Sequence, residues 1–552
     1  MTSTTWSGRA AAVLAAGALA LSGCTPTRPS GQESASSPAA SGSSSPSGTI
    51  PHETGAEVRT TAQDVAGFDP AAHKTIQRWT SPDRTTVASE AQPEGFAAPP
   101  PGQGRQRYLD QKIDWKNCDA AQCAKVLVPL DWDHPDGPAI TLSLKRKPAT
   151  SGKAAATLFI NPGGPGGSGT EMVDTFANNN FEDHDVLGWD PRGSGESTPV
   201  QCGTPAETDA YLATDNSPDD KAEWEALVKA NKDFAAQCRK ASGALLDHIS
   251  TIDNVRDLDY LRELVGDKKL DYLGISYGTF IGAMYAEMYP QRTGRLVLDS
   301  AVNITEDDSV IQAMGFDLAL KNYATWCAQT TCGLGDDQAA VITSVTGLLG
   351  QLDAKPLKHG KRELTQSLGV TGMVTYLYWG AQGYEPLTQA LLAVQKGIPA
   401  GLVYTADAMN GRNSDGSYGP MAYAFPGIAC ADSADPGEAG ARTELAADTK
   451  KAPILAPYFG PNLACTFWTA RPAPQIDITG KGAAPILVLG ATGDPATPYR
   501  NAQLMADKLD SAVLLTWKGA GHSVWDLGND CAKNAVTAYV NKGTVPKDKT
   551  VC

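Results

Sequence analysis

The residues best suited to covalent catalysis lie in a glycine-flanked segment that reads Gly274-Ile275-Ser276-Tyr277-Gly278. A predicted strand at residues 270–273 precedes the segment, and a predicted helix at residues 280–289 follows it. A serine in a tight turn between a strand and a helix exposes its hydroxyl from a strained backbone, so small residues are needed on either side. The segment therefore predicts that Ser276 is a nucleophile.

A serine nucleophile needs N–H donors for the negative charge that develops on the attacked carbonyl oxygen. The backbone N–H of Tyr277 is one predicted donor, because it follows the nucleophile directly. A second glycine-rich loop, residues 161–167, follows the apolar run 157–160, and its glycines let the backbone approach a substrate closely. Gly164 is the predicted second donor. A phosphate-binding loop is the alternative, but the Gly-Lys-Ser/Thr that binds nucleotide is missing.

The base and acid of such a site follow the serine in the order Asp or Glu, then His. Two histidines lie beyond Ser276, namely His359 and His522. His522 follows the last predicted strand and is the predicted base. Asp494 follows the strand before it and is the predicted acid, which would orient the histidine and stabilise its protonated form. Asp526 is an alternative acid, but it lies close to His522 in sequence.

Strand and helix signals alternate from about residue 105 to 302 and again after 480. Strands are predicted at residues 124–129, 140–145, 157–160, 185–189, 270–273, 295–298, 485–489 and 512–516, with a helix at 252–265. The first two strands are expected to pair around a turn at 134–137. This alternation predicts an α/β protein with a mostly parallel sheet and helices on both faces.

The alternation breaks between residues 303 and 480, where the sequence favours helices and loops. An insertion in an α/β sheet usually sits above the strand ends, where ligands bind. We therefore predict an inserted, mainly helical cap domain over 303–480, with a core assembled from 61–302 and 481–552. Arg192, in the Pro- and Gly-rich segment 190–197, is expected to form a buried pair with a carboxylate rather than to shape the site.

The N-terminus is typical of an exported lipoprotein. Arg9 precedes an apolar run at residues 10–21 that is too short to span a bilayer, so residues 1–23 are predicted to be a signal peptide. Leu-Ser-Gly before Cys24 resembles a lipobox, which predicts acylation of Cys24 at the outer face of a bacterial cell membrane, with release from it also possible. An ordinary signal peptide is the alternative. Residues 24–60, rich in Ser, Pro and Gly, predict a flexible tether.

Ten cysteines remain after Cys24, an even number that predicts disulfide bonds in an exported protein. Pairing between sequence neighbours needs the fewest assumptions, although the sequence does not prove it. The predicted couples are Cys118 with Cys123, Cys202 with Cys238, Cys327 with Cys332, Cys430 with Cys465, and Cys531 with Cys552. A zinc site is the weaker alternative, because no Cys-x-x-Cys pair occurs.

The net charge of −15 argues against nucleic acid as a partner, since phosphates require a basic surface. No other segment approaches 18 uninterrupted apolar residues, so the lipid would be the only membrane attachment. We expect a monomer that acts on peptides.

Several of these segments together resemble the secreted tripeptidyl aminopeptidases of actinobacteria. The resemblance lies in residues 252–299, which include the serine segment, in 161–167, 190–197 and 428–432, and in the stretch 494–522. That group has the α/β-hydrolase fold, is related to the proline iminopeptidases and also contains proteins named as esterases. It implies an exopeptidase that removes short peptides from N-termini, with no metal and no cofactor. Residues 384–387 depart from an expected Trp-Pro pattern, and Ser523 stands where Gly is common.

Three functions remain open from the sequence: a serine aminopeptidase, a carboxylesterase with the same triad, and a binding protein on an inactive hydrolase fold. The intact order of the triad argues against the last. An aminopeptidase must neutralise the α-ammonium group of its substrate, so the cap is expected to supply a carboxylate. Glu385 and Asp432 are the candidates for this anchor.

Overall fold

The computed structural model describes residues 61, 64–76, 95–433 and 435–552. The predicted signal peptide, Cys24 and the predicted tether up to residue 60 lie outside the described residues. No helix in the described part of the chain has both the length and the apolar character needed to cross a membrane.

A single sheet of ten strands forms the centre of the described structure, in the order β1-β2-β3-β5-β4-β6-β7-β10-β11-β12. The strands are β1 Lys116–Cys118, β2 Ala121–Pro129, β3 Ala139–Lys147, β4 Ala156–Asn161, β5 His184–Trp189, β6 Leu270–Ile275, β7 Thr293–Asp299, β10 Ile486–Gly493, β11 Ala512–Ala520 and β12 Thr550–Val551. All neighbours from β5 to β12 are parallel, and β1, β2, β3 and β5 pair antiparallel. The predicted α/β fold and the predicted β2–β3 pair are confirmed.

Helices cover the sheet and fill the connection between β7 and β10. They are α1 Gln106–Leu109, α2 Gly169–Thr175, α3 Pro205–Leu212, α4 Lys221–Ser242, α5 Thr251–Val265, α6 Tyr277–Met288, α7 Gln312–Gln329, α8 Gln338–Ala354, α9 Gln366–Tyr378, α10 Ala381–Gln395, α11 Ala400–Met409, α12 Met421–Asp432, α13 Gly437–Lys451, α14 Ala456–Phe459, α15 Tyr499–Lys508, α16 Val524–Leu527 and α17 Asp530–Lys542. A hairpin of β8 Leu357–His359 and β9 Arg362–Leu364 interrupts the connection.

The connection between β7 and β10 has a hydrophobic core of its own. Side chains from α7, α8, α9, α10 and α11 form it, among them Leu320, Val345, Leu377 and Leu391. Later parts of the same connection join the main core instead: Ile428 of α12, Trp468 and Ile476 pack in one cluster with Leu258 of α5. The predicted segment 303–480 is therefore divided between two cores.

Helices α3 and α4 lie in the stretch predicted as core, but they also pack against the helical insertion. Trp224 and Leu227 of α4 form a small cluster with Leu463, and Asp209 of α3 pairs with Arg412 at 2.7 Å. The segment that carries α3 and α4 and the helical insertion are thus packed together, although they are separate in sequence. The sequence pattern reveals amphipathic helices but not the partner that each covers.

Arg192 forms the buried ion pair that the sequence predicts. Its guanidinium donates to both carboxylate oxygens of Asp257 at 2.7 and 2.6 Å and to the carbonyls of Leu130 and His248, both at 2.8 Å. The indole N–H of Trp132 donates to the same carboxylate at 2.8 Å. Neither charged side chain is exposed. The pair ties α5, which precedes the strand of the serine, to the loops after β2 and β5.

The five disulfide bonds of the structure join the sequence neighbours named above. Two of them tie elements near the candidate site: Cys430 links α12 to Cys465, and Cys531 links α17 to the C-terminal Cys552.

Replacing Asp257 with Ala should lower the free energy of unfolding by about 3–5 kcal/mol, because it leaves the Arg192 guanidinium buried without a counter-charge. Urea titration monitored by Trp fluorescence measures this. Asp233→Ala on α4, which removes a carboxylate from an exposed pair with Lys229, is the matched control and should change stability little. Similar losses in both variants would contradict the role given to the buried pair.

Candidate active site

Ser276 lies at the junction between β6 and α6. Every residue of β6 is buried, and α6 begins at Tyr277, three residues before the predicted start. Ser276 has φ 59° and ψ −125°, a conformation that residues with a side chain rarely adopt. Its N–H donates to the carbonyl of Asp299 at 2.9 Å, and the Thr279 hydroxyl donates to its carbonyl at 2.6 Å. These bonds hold the serine in the turn that exposes its side chain.

The glycines on either side of Ser276 leave no space for a side chain. A Cβ on Gly278 would lie 2.9 Å from the carbonyl oxygen of Asn161, and a Cβ on Gly274 would collide with the ring of Tyr272. The turn is therefore packed against β4 and its own strand, which is the physical reason for the glycine-x-serine-x-glycine pattern.

The loop after β4 packs against the same turn. A Cβ on Gly163 would lie 2.9 Å from the backbone nitrogen of Tyr277, so only glycine allows this approach. The N–H of Gly163 is bound to the Asn161 side chain at 2.9 Å. In contrast, the N–H groups of Gly164 and Tyr277 donate no hydrogen bond to any other residue that the structure describes. Both predicted oxyanion donors are thus available to a ligand.

His522 and Asp494 form a direct hydrogen bond. The Nδ1 atom of His522 lies 2.9 and 3.0 Å from the two carboxylate oxygens of Asp494, whose side chain is 1% exposed. A carboxylate accepts, so Nδ1 carries the proton and Nε2 is left as an acceptor. The N–H groups of Ala496 and Thr497 each donate to Asp494 at 2.9 Å. The carboxylate is therefore fixed in the orientation that an acid partner needs.

The helical insertion contacts the loops that carry His522 and Asp494. The N–H of His522 donates to the carbonyl of Tyr378, at the end of α9, at 2.9 Å, and the two rings meet edge-on with centroids 5.3 Å apart. On α7, a Cβ on Gly315 would lie 2.9 Å from the carbonyl oxygen of Asp494. The placement of the base and the acid thus depends on the insertion as well as on the sheet.

Ser276 and His522 line one cavity of about 100 Å³. Gly164 and Asp526 also line it, and its remaining walls include the apolar side chains of Tyr378, Trp379, Met409, Met421, Phe425 and Leu527. Trp379 and Phe425 are 37% and 47% exposed, which places aromatic surface at its edge. The cavity thus brings the hydroxyl of Ser276 and the imidazole of His522 together with the glycine loop, among apolar walls.

Three further residues complete the surroundings of His522, and sequence reasoning assigned no role to two of them, Asp299 and Thr497. The third is Asp526, the alternative acid, but Nδ1 of His522 is bound to Asp494. Asp299, at the end of β7, accepts N–H bonds from Val524 and Trp525 at 2.8 and 2.7 Å, which fixes the turn after the histidine. Thr497 donates to Asp494 at 3.1 Å and lies 3.4 Å from Nδ1 of His522. Asp526 lines the cavity. The signal for Asp299 was its position at the carboxyl end of the predicted strand 295–298, β7 in the structure, every residue of which is buried.

Carboxylates determine the proton affinity of His522. Burial lowers the pKa of its imidazole, but the negative charges of Asp494, Asp299 and Asp526 raise it by more, so that its pKa lies above the ordinary value. Burial also raises the pKa of Asp299 to about 6.

The structure does not bring the two predicted amine anchors to this cavity. Glu385 is exposed on α10, where Gln389 donates to it at 3.1 Å. Asp432 lines a second cavity, of about 280 Å³, with Pro165 and Tyr277. Both of its oxygens are engaged, by the N–H and hydroxyl of Thr251 at 2.6 Å and by the hydroxyl of Tyr277 at 3.2 Å. Asp432 thus fastens α12 to α5 and to the serine turn.

One group of residues in the described chain has the spacing of a metal site, namely Asp219, Asp220 and Glu223. It lies at the exposed start of α4, where Asp220 accepts the N–H of Glu223 at 2.9 Å as a helix cap. It shares no residue with either cavity.

Three relatives align with most of the chain. Serine protease Hip1 of Mycobacterium tuberculosis is 33% identical over 481 residues, which cover 80% of this chain and 91% of that protein. Carboxylesterase B of the same species is 33% identical over 463 residues, covering 80% and 88%. Tripeptidyl aminopeptidase of Streptomyces lividans is 30% identical over 473 residues, covering 80% and 86%. Residues 452–552 also match the family model described as TAP-like protein.

The fold, the serine turn and these similarities define the chain as a serine hydrolase of the α/β-hydrolase class, and an inactive binding protein is thereby set aside. The chain belongs to the family of tripeptidyl aminopeptidase-like hydrolases that includes Hip1 and the Streptomyces enzyme. The family resemblance predicted from the motifs is confirmed.

If His522 acts as the base, it must be neutral in the free enzyme. The pKa of a free histidine is about 6.5. Because the pKa of His522 is raised above this value, the acid limb of the kcat/KM profile should lie above pH 6.5. The value of kcat/KM is expected to fall as the pH drops through this limb and to reach its maximum above it. Steady-state rates on a substrate without ionisable groups measure it, and a limb at or below pH 6 would contradict the assignment.

Proposed function

We propose that the protein is a serine exopeptidase that releases short peptides, of three residues, from the N-termini of peptides and proteins through an acyl-enzyme. Ser276 is the nucleophile, His522 the base and Asp494 the acid. Gly164 and Tyr277 supply the oxyanion hole. The observation that carries the proposal is the His522–Asp494 hydrogen bond beside a cavity that also contains Ser276 and the unbonded N–H of Gly164.

The reaction proceeds in two halves. The Ser276 oxygen attacks the scissile carbonyl carbon while Nε2 of His522 takes the hydroxyl proton, and the oxyanion accepts the two backbone N–H bonds. The tetrahedral intermediate collapses as His522 returns the proton to the leaving amine, which departs. Water then loses a proton to His522 and attacks the ester, and the histidine protonates Ser276 as the peptide leaves. Asp494 stabilises the imidazolium in both halves.

An exopeptidase rather than an endopeptidase is favoured by the helical insertion beside the cavity. Side chains of α9, α11 and α12 form part of its wall next to Ser276 and so obstruct a chain that continues in both directions. The relative from Streptomyces lividans bears the name tripeptidyl aminopeptidase. Peptides with a free N-terminus are the partners that this arrangement suits.

A carboxylesterase is the second candidate, because the relative named carboxylesterase B is as similar as the serine protease. The same acyl-enzyme steps cleave an ester, and the apolar walls of the cavity suit an acyl chain. The two functions differ in whether an α-ammonium group on the substrate increases the rate.

Ser276→Ala should reduce kcat by roughly 10⁶-fold on the best substrate, since no other group takes the place of the nucleophile. The measurement compares three substrates with the wild-type enzyme and this variant: a tripeptide anilide with a free N-terminus, its N-acetyl form, and a short-chain p-nitrophenyl ester. Wild-type enzyme should prefer the free-amine peptide by at least tenfold in kcat/KM.

A preference for the ester, with equal rates on the two peptides, would replace the exopeptidase by the esterase. Substantial activity of Ser276→Ala would remove Ser276 from the mechanism. Ser344→Ala on α8, at a half-buried serine that lines neither cavity, is the matched control and should leave all three rates unchanged.

We further propose that the protein is exported and anchored by a lipid on Cys24, with all ten remaining cysteines oxidised. The support is the lipobox-like sequence before Cys24 and the five disulfides of the structure. Intact-mass analysis of membrane-extracted protein should show a chain that starts at Cys24, carries acyl mass and has no free thiol. A soluble chain cleaved elsewhere would contradict the anchor and leave the hydrolase assignment unaffected.

A further inference from the structure

Four carboxylates lie around His522 or the serine turn, and three of them are fully engaged. Asp494 and Asp299 each accept hydrogen bonds on both oxygens, and so does Asp432. Asp526 differs: its Oδ2 accepts the Ser523 hydroxyl at 2.8 Å, whereas its Oδ1 accepts no hydrogen bond from the residues that the structure describes.

The free oxygen belongs to a carboxylate in the wall of the catalytic cavity. Asp526 lines that cavity with Ser276 and His522, and no other acidic side chain does so among the described residues. Its nearest lysine, Lys533, donates to the backbone carbonyl of Asp526 at 3.2 Å and not to the carboxylate. A partly buried carboxylate beside apolar walls favours a cation as its partner, because water solvates it incompletely.

The position of Asp526 is fixed by its neighbours. It lies on α16, whose first turn is bound to Asp299 through the N–H groups of Val524 and Trp525, and Ser523 accepts its N–H at 3.1 Å. These bonds fix the turn that carries the carboxylate, and Asp526 lines the same cavity as Ser276. A substrate N-terminus bound there would be held in register with the nucleophile, as an exopeptidase requires.

We propose that Asp526 binds the α-ammonium group of the substrate through its free Oδ1 and so determines specificity for peptides with an unblocked N-terminus. This rests on the proposed exopeptidase function and identifies the residue that gives it. The anchor then comes from the turn after the base, in the core, and not from the insertion. Glu385 faces solvent, and Asp432 is occupied by Thr251 and Tyr277.

The test measures kcat/KM near a pH of about 7, where most of a peptide's α-amino group is protonated. The substrates are the free-amine tripeptide anilide, its N-acetyl form and the short-chain ester. The informative quantity is the ratio of the two peptide rates. Any change in the protonation of His522 affects both peptides equally and cancels from this ratio.

Asp526→Asn should lower that ratio at least tenfold, mainly through KM of the free-amine peptide, since the isosteric amide keeps the bond to Ser523 but loses the charge. The values of kcat/KM for the N-acetyl peptide and for the ester should then change by the same factor. Asp530→Asn removes the same charge four residues away, at an exposed position, and should keep the wild-type ratio.

An unchanged ratio in Asp526→Asn would overturn the proposal, and so would an equal loss on all three substrates, which would show that the residue acts only through His522 or the fold. A lowered ratio in Asp432→Asn alone would also overturn it and would assign the anchor to the insertion. If the wild-type enzyme itself does not distinguish the two peptides, the exopeptidase function fails, which is a result distinct from failure of Asp526 as its anchor.

Discussion

The strained turn at Ser276 is the constraint on which the rest of the site depends. Its positive φ is maintained because four backbones meet there: β6, α6, the end of β7 through Asp299, and the loop after β4. Gly163 and Gly278 permit this contact, and a Cβ at either position would push these backbone segments apart. The energy stored in the turn is offset by the buried sheet beneath it. The same packing leaves the N–H groups of Gly164 and Tyr277 without a hydrogen bond to any residue that the structure describes.

The core and the helical insertion share control of the site. The sheet places Ser276, Asp494 and His522 just beyond the ends of β6, β10 and β11, while Tyr378 and Gly315 of the insertion contact the loops that carry His522 and Asp494. A shift of the insertion would therefore alter the environment of His522 as well as access to it. The negative charges of Asp494, Asp299 and Asp526 raise the pKa of His522, and burial lowers it.

Buried carboxylates near the site have different tasks although they resemble each other in sequence. Asp299 orders the turn after His522, Asp494 accepts a hydrogen bond from the His522 ring, Asp432 ties α12 to the serine turn, and Asp257 neutralises Arg192. Each role follows from which donors surround the carboxylate.

The sequence by itself determined the α/β fold, the strand–serine–helix turn, the glycine loop and the order of Ser276, Asp494 and His522, because each depends on local residue types and on chain order. It also suggested the couples of cysteines. Only the tertiary structure decided which carboxylates face the cavity. Glu385 and Asp432 were expected there and lie elsewhere, whereas Asp526 lines it. The packing of α3 and α4 on the insertion was likewise undetectable. Contacts between distant segments depend on how amphipathic faces match in space, and the order of residues along the chain does not record this.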